Sequence, residues 1–485
     1  MTRAACLLFL LGFSVASAQP PDTLWTRVYD NAGFRDFADG EASQTHDNCY
    51  LIPGYHTQDS LSFCTVRKIS SDGDLVWETT LDPTESMVVA AVHELATHEI
   101  ALLSNIQNPS EESTSYLMIF LSADGDSLRS FEIGAASTYY WPTNFSLTSD
   151  GGFVISGSFR PAHTSRQDGL VVRTDANGEI VWQQVFSAGY SPFWDVESTS
   201  DGGAILVGSW TDTVTFDTQI RALKLDAAGA PQFDFKYGDT TSVNEGFAVA
   251  KTLDGGYLVG GMSYDMSTGY DFTVIQLDSD GIQQWANTFH HLGQVIIPDY
   301  ELPWTLAGLP DGGALMIGTA ETLLGGEYCS VLARFTSEGE IDWQECYQRG
   351  KQSRGGIVTD DGYVVLQGWT GFGSETEIYV QKLDRVFIPV DDAEAPPVPY
   401  DFAATTYPNP FNSVARVQFD LPIASNVKAA IYNTLGQRAV LLTDQFYSAG
   451  RHQLLFDGSG LTSGVYFIGL SAGPHKETLK TILLK

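Results

Sequence analysis

Residues 199–210 read TSDGGAILVGSW, and nearly the same words occur at 148–158 (TSDGGFVISGS) and at 252–261 (TLDGGYLVGG). Such self-similarity at a fixed period is typical of a repeat architecture. The aspartate before the paired glycines anchors the alignment, and successive anchors lie 50 to 57 residues apart. With the degenerate copies included, the seven anchors are Asp47, Thr97, Asp150, Asp201, Asp254, Asp311 and Asp361.

A second turn follows the anchor in most copies and leads into a tryptophan. Asp-Gly and Asn-Gly between apolar runs indicate β-hairpins, because glycine adopts a positive φ at little steric cost. Two hairpins per repeat predict the four antiparallel strands of one propeller blade. Two copies depart, with Leu128-Arg129 and Phe233 near the tryptophan position. The four regular copies are SSDGDLVW (70–77), TDANGEIVW (174–182), LDSDGIQQW (277–285) and TSEGEIDW (336–343).

The last repeat stops at VQKLDRV (380–386), before its second turn and its tryptophan strand. The chain start, DTLWTRVYD (22–30), has the pattern of a tryptophan strand with no turn before it. We therefore predict that this segment completes the last blade. Closure of the ring removes the exposed sheet edges that would invite aggregation. The sequence predicts an all-β chain whose residues 19–390 form a seven-bladed β-propeller.

The Gly-x-x-x-Trp spacing resembles the tryptophan-docking repeats of the quinoprotein alcohol dehydrogenase-like propellers. The shorter Gly-to-Trp spacing of the sialidase Asp-box disfavours that family. Quinone-binding members of that family often carry two adjacent cysteines. This chain has no adjacent pair, so the resemblance does not imply a quinone cofactor. The pattern DGGYxxxG…KxDxxGxxxW of secreted bacterial repeats is a closer match and implies no settled activity.

The N-terminal residues 1–18 are expected to be a signal peptide. Arg3 precedes a short apolar run, and Ala16-Ser17-Ala18 is a small-x-small cleavage site. Export permits disulfides among the four remaining cysteines, whose spacing matches no zinc pattern. Cys329 and Cys346 flank one turn and should lie within about one position of register, whereas Cys49 and Cys64 fit a shared register less well. Whether any pair bonds stays open.

Charge divides the chain. The net charge of −33 disfavours nucleic acid and anionic membranes as partners. Residues 405–485 instead hold seven Lys and Arg against four Asp and Glu. The boundary coincides with DDAEAPPVPYDF (391–402), a proline-rich stretch that indicates a linker over residues 391–404. No later stretch is apolar enough for a transmembrane helix.

Residues 405–485 resemble the C-terminal sorting domain of type IX secretion cargo. The resemblance implies a small immunoglobulin-like β-sandwich that the outer-membrane translocon recognises, and hence a secreted or surface-attached protein. The related domain of flagellar hook-capping proteins is the alternative. The motifs are TTYPNPF (405–411), IYNTLGQR (431–438), SGVYFIGL (463–470) and KTILLK (480–485). The residues carried over as the sorting signal are Tyr407, Pro408, Asn409, Pro410, Gly464, Tyr466 and Lys485.

One repeat position is a candidate ligand site. It lies seven residues before the anchor, at the start of the innermost strand, and holds Trp194, Phe247, Trp304 and Arg354 in four successive blades. The tight turns should lie on one face of the propeller and the variable loops on the other, near this position. We call these four residues the aromatic shelf. Three aromatic side chains beside a cation could bind a sugar ring or a peptide. The alternative is packing of blade against blade.

Other candidates have plainer explanations. An insertion of about six residues brings His290 and His291 to the loop face. These histidines could bind a metal or act in acid–base catalysis, and the alternative is that they belong to an ordinary solvated loop. Turns such as SSDGD superficially resemble calcium loops but lack the full ligand set, so turn chemistry explains them, with bound calcium possible. A cation recurs in the third strand and should pair with an aspartate of its own blade; its copies are Lys68, Arg173, Lys224, Arg334 and Lys382.

No catalytic motif for a nucleophile, a zinc protease, a phosphate loop or a dinucleotide is present, so the catalytic residues stay unknown. We predict no metal ligands and, apart from the possible bound calcium, no cofactor. We expect an exported propeller that binds glycans or proteins. The alternative is a polysaccharide- or peptide-cleaving enzyme with its site on the loop face. Two carboxyl groups converging there would favour the enzyme.

Overall fold

The computed structural model divides the chain into two compact units, Met1–Phe387 and Ile388–Lys485. The predicted signal peptide and most of the predicted linker lie outside the described residues. The structure describes residues 20–29, 35–58, 61–81, 89–108, 113–134, 138–161, 164, 167–187, 191–212, 214–238, 243–265, 269–290, 301–322, 327–347, 351–370, 376–386, 402–421, 425–447, 450–472 and 475–485.

The first unit consists of seven antiparallel sheets of four principal strands, which confirms the predicted propeller. The first strand, β1 (Thr23–Tyr29), belongs to blade 7. Blade 1 contains β2 (Arg35–Ala38), β3 (Ser43–Gln44), β4 (Tyr50–Gln58), β5 (Leu61–Ile69) and β6 (Leu75–Thr80). Blade 2 contains β7 (Val89–Glu94), β8 (Ile100–Asn108), β9 (Ser113–Leu121) and β10 (Ser127–Ile133). Blade 3 contains β11 (Thr138–Leu147), β12 (Phe153–Pro161), β13 (Asp168–Thr174) and β14 (Ile180–Phe186).

The remaining blades repeat this order from the innermost strand outward. Blade 4 contains β15 (Phe193–Ser198), β16 (Ala204–Thr211), β17 (Thr218–Leu225) and β18 (Pro231–Tyr237). Blade 5 contains β19 (Asn244–Lys251), β20 (Tyr257–Asp265), β21 (Gly269–Leu277) and β22 (Gln283–Phe289). Blade 6 contains β23 (Glu301–Gly308), β24 (Ala314–Thr322), β25 (Glu327–Phe335) and β26 (Ile341–Tyr347). Blade 7 contains β27 (Lys351–Val358), β28 (Val364–Thr370), β29 (Glu377–Leu383) and β1.

The ring closes as the sequence predicts. Strand β1 pairs antiparallel with β29, with Val28 opposite Tyr379. Trp25 donates its indole N–H to the carbonyl of Ser71 in blade 1, at 3.1 Å. The N-terminal strand therefore both completes blade 7 and attaches it to blade 1.

The same docking joins successive blades around the ring. In six of the seven blades the aromatic side chain of the outer strand packs on the turn glycine of the next blade. At Gly229, for example, a Cβ atom would lie only 2.9 Å from the Trp182 ring, so glycine is required for this close approach. The other pairs are Trp25 on Gly73, Trp77 on Gly125, Phe131 on Gly178, Phe233 on Gly281 and Trp285 on Gly339. Blade 6 differs because blade 7 lacks the second turn, and Trp343 packs instead in an apolar cluster with Leu383 and Val386.

The anchor aspartates hold the inner turns and bind the recurring cation. In blade 4, Asp201 accepts hydrogen bonds from the Thr199 hydroxyl at 2.5 Å and the Gly203 amide at 3.0 Å. Its other oxygen accepts from Lys224 at 2.8 Å. The equivalent ion pairs are Lys68–Asp47, Arg173–Asp150 and Arg334–Asp311.

Three blades depart from this arrangement. In blade 7 the ammonium of Lys382 lies over the Tyr363 ring, at 4.3 Å from its centre. Blade 5 has Gln276 in place of the cation. Blade 2 has Phe120 there, and the guanidinium of Arg129 on the next strand lies 3.5 Å from that ring centre.

The second unit is a β-sandwich of seven antiparallel strands. Its two sheets have the orders β30-β31-β34 and β33-β32-β35-β36. Both contribute to one apolar cluster, with Phe419 and Phe456 from one sheet and Ile431 and Ile468 from the other. The first strand begins inside the predicted linker. The strands are β30 (Ala403–Tyr407), β31 (Val414–Leu421), β32 (Ser425–Tyr432), β33 (Arg438–Tyr447), β34 (Gly450–Asp457), β35 (Gly464–Ala472) and β36 (His475–Leu483).

A bulge changes the predicted cysteine register. Cys346 lies opposite Val331, two positions from Cys329 rather than one. The irregularity between Arg334 and Phe335 supplies the extra residue. Both cysteines contribute to the same apolar cluster, and the four cysteines of the described chain are thiols.

Removing residues 19–30 should open the ring. The deletion exposes the edge of β29 and removes the Trp25 contact with blade 1, so we expect the propeller to lose cooperative unfolding or to aggregate. Thermal unfolding and light scattering measure both effects. A Trp25→Ala variant, which keeps the strand, should still unfold cooperatively. A deletion variant that melts like the full chain contradicts the closure.

Replacing Asp201 by Asn should destabilise the propeller by about 2 kcal/mol at pH 7, because it leaves the buried Lys224 without its charged partner. Partial burial raises the pKa of Asp201, but Lys224 and Thr199 outweigh it and hold the pKa at about 2. This stabilisation is therefore present above about pH 4 and is lost as the pH falls toward 2.

The matched control is Asp254→Asn in blade 5, where the cation position holds Gln276. Its effect should be smaller. Equal losses in denaturant titrations of the two variants would show that the turn, not the ion pair, carries the stabilisation.

Candidate functional site: the central channel

The seven equivalent positions all line one cavity of about 430 Å³ in the central channel, and most of them lie within the inner strands rather than at the predicted strand starts. The tight turns lie together at the opposite end of the blades, as Gly151 beside Ala176 illustrates. Three of the seven residues are small and lie in blades 1 to 3, whereas the other four are large and lie in blades 4 to 7. The two groups are Gly40, Ala90 and Thr143, and Trp194, Phe247, Trp304 and Arg354.

The large side chains form a continuous row. The Trp194 and Phe247 ring centres are 5.8 Å apart, and those of Phe247 and Trp304 are 6.1 Å apart. All three rings are partly exposed. The Trp304 indole N–H donates to the Thr319 hydroxyl at 3.0 Å, which fixes that ring. The structure thus brings the predicted aromatic residues together on one wall of the channel.

Arg354 ends this row. Its guanidinium lies 4.8 Å from the centre of the Trp304 ring and 5.3 Å from that of Trp369. Cations are attracted to aromatic faces in this geometry. Arg354 Nε also lies 3.7 Å from Asp39 Oδ1 in blade 1. Burial raises the pKa of Asp39, and the charge of Arg354 opposes that shift.

Carboxylates from two different blades meet deeper in the channel. Asn144 of blade 3 donates its amide N–H groups to Glu41 of blade 1 and to Asp195 of blade 4, the latter at 2.5 Å. Asp195 also accepts from the Val196 and Val249 amides, each at 2.7 Å. Because both carboxylates bind the same nitrogen, their oxygens lie within about 5 Å of each other.

The pKa values of Glu41 and Asp195 are both raised. Burial raises the pKa of Asp195 to about 6, although the amides of Val249 and Asn144 counteract the shift. The position of Glu41 deep in the channel, together with the charges of Asp195 and Glu197, raises its pKa well above the ordinary value. Glu41 nonetheless remains exposed to the solvent of the channel. The pair therefore holds a proton more readily than isolated carboxyl groups do.

The sequence analysis missed these polar residues. Glu41, Asn144 and Asp195 occupy one repeat position, directly after the aromatic shelf position. A polar residue at that position in four blades, with Thr305 of blade 6 as the fourth, was the available signal. Trp141, the residue two before the shelf position in blade 3, was also missed and lines the same cavity.

The predicted histidines lie elsewhere. His290 follows β22 and does not line the channel cavity; its Nδ1 is 3.1 Å from Asp271 Oδ1 and 3.3 Å from Glu301 Oε1. His291 lies outside the described residues. The three side chains are mostly buried, so His290 joins blade 5 to the start of blade 6.

The sorting motifs of the second unit meet at its C-terminal strand. The Asn409 side chain donates to the Lys480 carbonyl at 2.8 Å and accepts from the Ile482 amide at 3.0 Å. Lys485 Nζ donates to the Ser459 carbonyl at 2.5 Å. Tyr466 donates its hydroxyl to the Thr462 carbonyl at 2.8 Å. The segment that contains Tyr407, Pro408 and Pro410 is thus held beside the terminal strand, while Gly464 begins the neighbouring strand.

Residues 405–485 match the family model described as the secretion system C-terminal sorting domain. The class of protein is therefore cargo with a type IX sorting tail on an all-β propeller chain. It is a secreted or outer-membrane-surface protein. Among the described residues, no helix is long and apolar enough to span a bilayer.

The solved structures that resemble the whole fold are only distantly similar to this chain. A protein of unknown function from Bacteroides caccae shares 16% identity, with 64% of this chain and 94% of that chain covered and a TM-score of 0.36. PorZ of Porphyromonas gingivalis, described as an essential surface component of the type IX secretion system, shares 8% sequence identity with a TM-score of 0.28. The match covers 91% of this chain and 75% of that chain. Drosophila Plexin A shares 7% sequence identity with a TM-score of 0.43, and the match covers 76% of this chain and 88% of that chain.

No curated protein sequence matches this chain significantly. Since these TM-scores are below 0.5, the strand pairing itself carries the fold assignment, and the channel geometry must carry any functional argument.

Deleting residues 402–485 should prevent passage across the outer membrane while leaving the propeller folded. The deletion removes the complete sandwich, including its first strand. Fractionation of cells and culture medium measures export, and a thermal melt of the truncated protein measures folding. Asn409→Ala serves as a milder variant, since it removes only the clamp on the terminal strand. Normal extracellular amounts of the deletion variant contradict the sorting role.

Proposed function

We propose that this chain is an exported propeller that binds a glycan or protein ligand at the loop-face mouth of its central channel. The observation that carries this proposal is the convergence of Trp194, Phe247, Trp304 and Arg354 on one cavity. Sugar rings and extended peptides are held by aromatic faces flanked by a few polar groups. Binding sites of propellers formed in this way use the ring as a rigid scaffold.

The polar residues of the channel, Glu41, Asn144 and Asp195, support a glycan ligand in particular. The carboxylates of Glu41 and Asp195 lie in the same cavity as the aromatic rings. They offer acceptors for the hydroxyl groups of a saccharide, while the rings match its apolar faces. The acidic character of the channel disfavours polyanionic ligands, because among the described lining residues Asp39, Glu41, Asp195 and Glu197 are balanced by a single cation, Arg354.

The second candidate is glycoside cleavage, and Glu41 and Asp195 favour it. Retaining glycosidases use two carboxyl groups about 5–5.5 Å apart, one of them kept protonated near neutral pH. A ligand held on the aromatic wall would place a glycosidic oxygen near this pair. The backbone hydrogen bonds of Asp195 argue instead for a structural role of that group.

A glycan and peptide array should detect binding by the full chain, and Trp194→Ala or Trp304→Ala should abolish it. Both rings are partly exposed, so each change should cost less than the roughly 3–5 kcal/mol of a buried tryptophan. Trp210→Ala is the matched control, because it makes the same change in blade 4 outside the channel lining.

The same array, read for released products, separates the two candidates. Binding without cleavage supports the binding module. Cleavage that disappears in Glu41→Gln, with binding kept, supports the enzyme. A large fall in melting temperature for both tryptophan variants, with binding kept by the folded fraction, assigns these residues to blade packing and rejects the channel site.

A further inference from the structure

Blade 2 departs from the repeat at the positions that stabilise the other inner turns. It has Thr97 in place of the anchor aspartate and Phe120 in place of the cation. His98 takes the place of the first turn glycine, with a φ of 66° in the left-handed region. A histidine in that conformation is uncommon, and departures from a repeat consensus concentrate at strained or functional sites.

Three side chains meet at this turn and at the adjacent turn of blade 1. His46 Nδ1 lies 2.9 Å from Glu94 Oε2, and His98 Nδ1 lies 3.1 Å from Glu94 Oε1. The ligand atoms of the three residues all lie within 4.8 Å of one another. The Glu94 side chain is only 5% exposed, while those of His46 and His98 are 56% and 63% exposed.

We propose that His46, Glu94 and His98 form a binding site for a borderline divalent cation, with Zn²⁺ the best match. Two imidazole nitrogens and one carboxylate are a common ligand set for zinc, with water in the remaining position. Zinc bonds of about 2.0–2.1 Å place neighbouring ligand atoms roughly 3.3 Å apart. The imidazole nitrogens lie 2.9 Å and 3.1 Å from the two Glu94 oxygens, so small side-chain movements would bring the ligand atoms to that spacing. Exposure of both imidazoles leaves the fourth position open to solvent.

The chemistry of the ligands selects the metal class. Calcium and magnesium take oxygen ligands, so two imidazoles disfavour them. The backbone also supports the site, because the His46 amide donates to Glu94 Oε2 at 2.6 Å and orients the carboxylate. Such outer hydrogen bonds hold metal ligands in position.

Bound zinc would connect blades 1 and 2 at the turn that lacks the aspartate–cation pair. His46 belongs to the first blade, and Glu94 and His98 belong to the second. A metal that binds only the folded chain raises the melting temperature, and the rise grows with the logarithm of the free metal concentration above the dissociation constant. The site lies at the turn end of the blades, so its function is independent of ligand binding at the opposite mouth of the channel.

The test uses the full chain without a histidine tag. Zn²⁺ titration by calorimetry and Co²⁺ titration followed by visible absorption should both show one site, and Zn²⁺ should raise the melting temperature. His46→Ser and His98→Gly should each weaken binding by about 100-fold or more, because each removes one of three protein ligands. Both changes restore residues that other blades carry at these positions, so both variants should fold.

His290→Gln is the matched control, since His290 is the histidine of the other cluster of histidine and carboxylates in the described chain, with Asp271 and Glu301. It should bind Zn²⁺ normally. The proposal is rejected if the wild type binds no Zn²⁺, if His46→Ser and His98→Gly bind as tightly as the wild type, if Ca²⁺ competes equally, or if His290→Gln alone removes the site.

Discussion

The propeller depends on the pairing of its first strand with a strand near the end of the ring. Gln381 donates to the Thr23 hydroxyl at 2.8 Å across 358 residues of sequence. Without β1, blade 7 has three strands, and the free edge of β29 exposes a row of unpaired backbone groups. Closure also sets the diameter of the channel. The positions of the aromatic wall and the carboxylate pair therefore follow from it.

Inside the closed ring, two contacts of different chemistry organise each repeat. The docked aromatic ring connects one blade to the next, and the aspartate–cation pair holds the inner turn to the third strand of its own blade. Blade 5 shows that the ion pair is dispensable, since Gln276 replaces the cation while the turn keeps its hydrogen bonds to Asp254. The aromatic contact is more persistent, because Phe233 takes the tryptophan position in blade 4, and Phe131, two residues beyond that position in blade 2, packs on glycine in the same way.

Local rules explain what the sequence predicts well. Asp-Gly-Gly and Asn-Gly specify turns through backbone conformation alone, so the blades, the closing strand and the shelf position follow from spacing. The association of Glu41 with Asn144 and Asp195 does not, because it depends on how far a side chain of blade 1 reaches across the channel. The cysteine register likewise depends on a bulge between Arg334 and Phe335 that no residue pattern indicates. His46 and His98 are separated by a whole repeat and meet only because neighbouring turns are adjacent in the ring.

The shelf position has a consequence for the evolutionary history of the chain. Duplication of one ancestral blade produces seven identical side chains around the channel, a symmetric surface poorly suited to an asymmetric molecule. Here Gly40, Ala90 and Thr143 lie on one side, and Trp194, Phe247, Trp304 and Arg354 lie on the other. Each copy has thus diverged at a residue whose side chain faces the channel, where substitution leaves the strand hydrogen bonds intact. Ligand preference can therefore change one blade at a time without loss of the strand pairing that closes the ring.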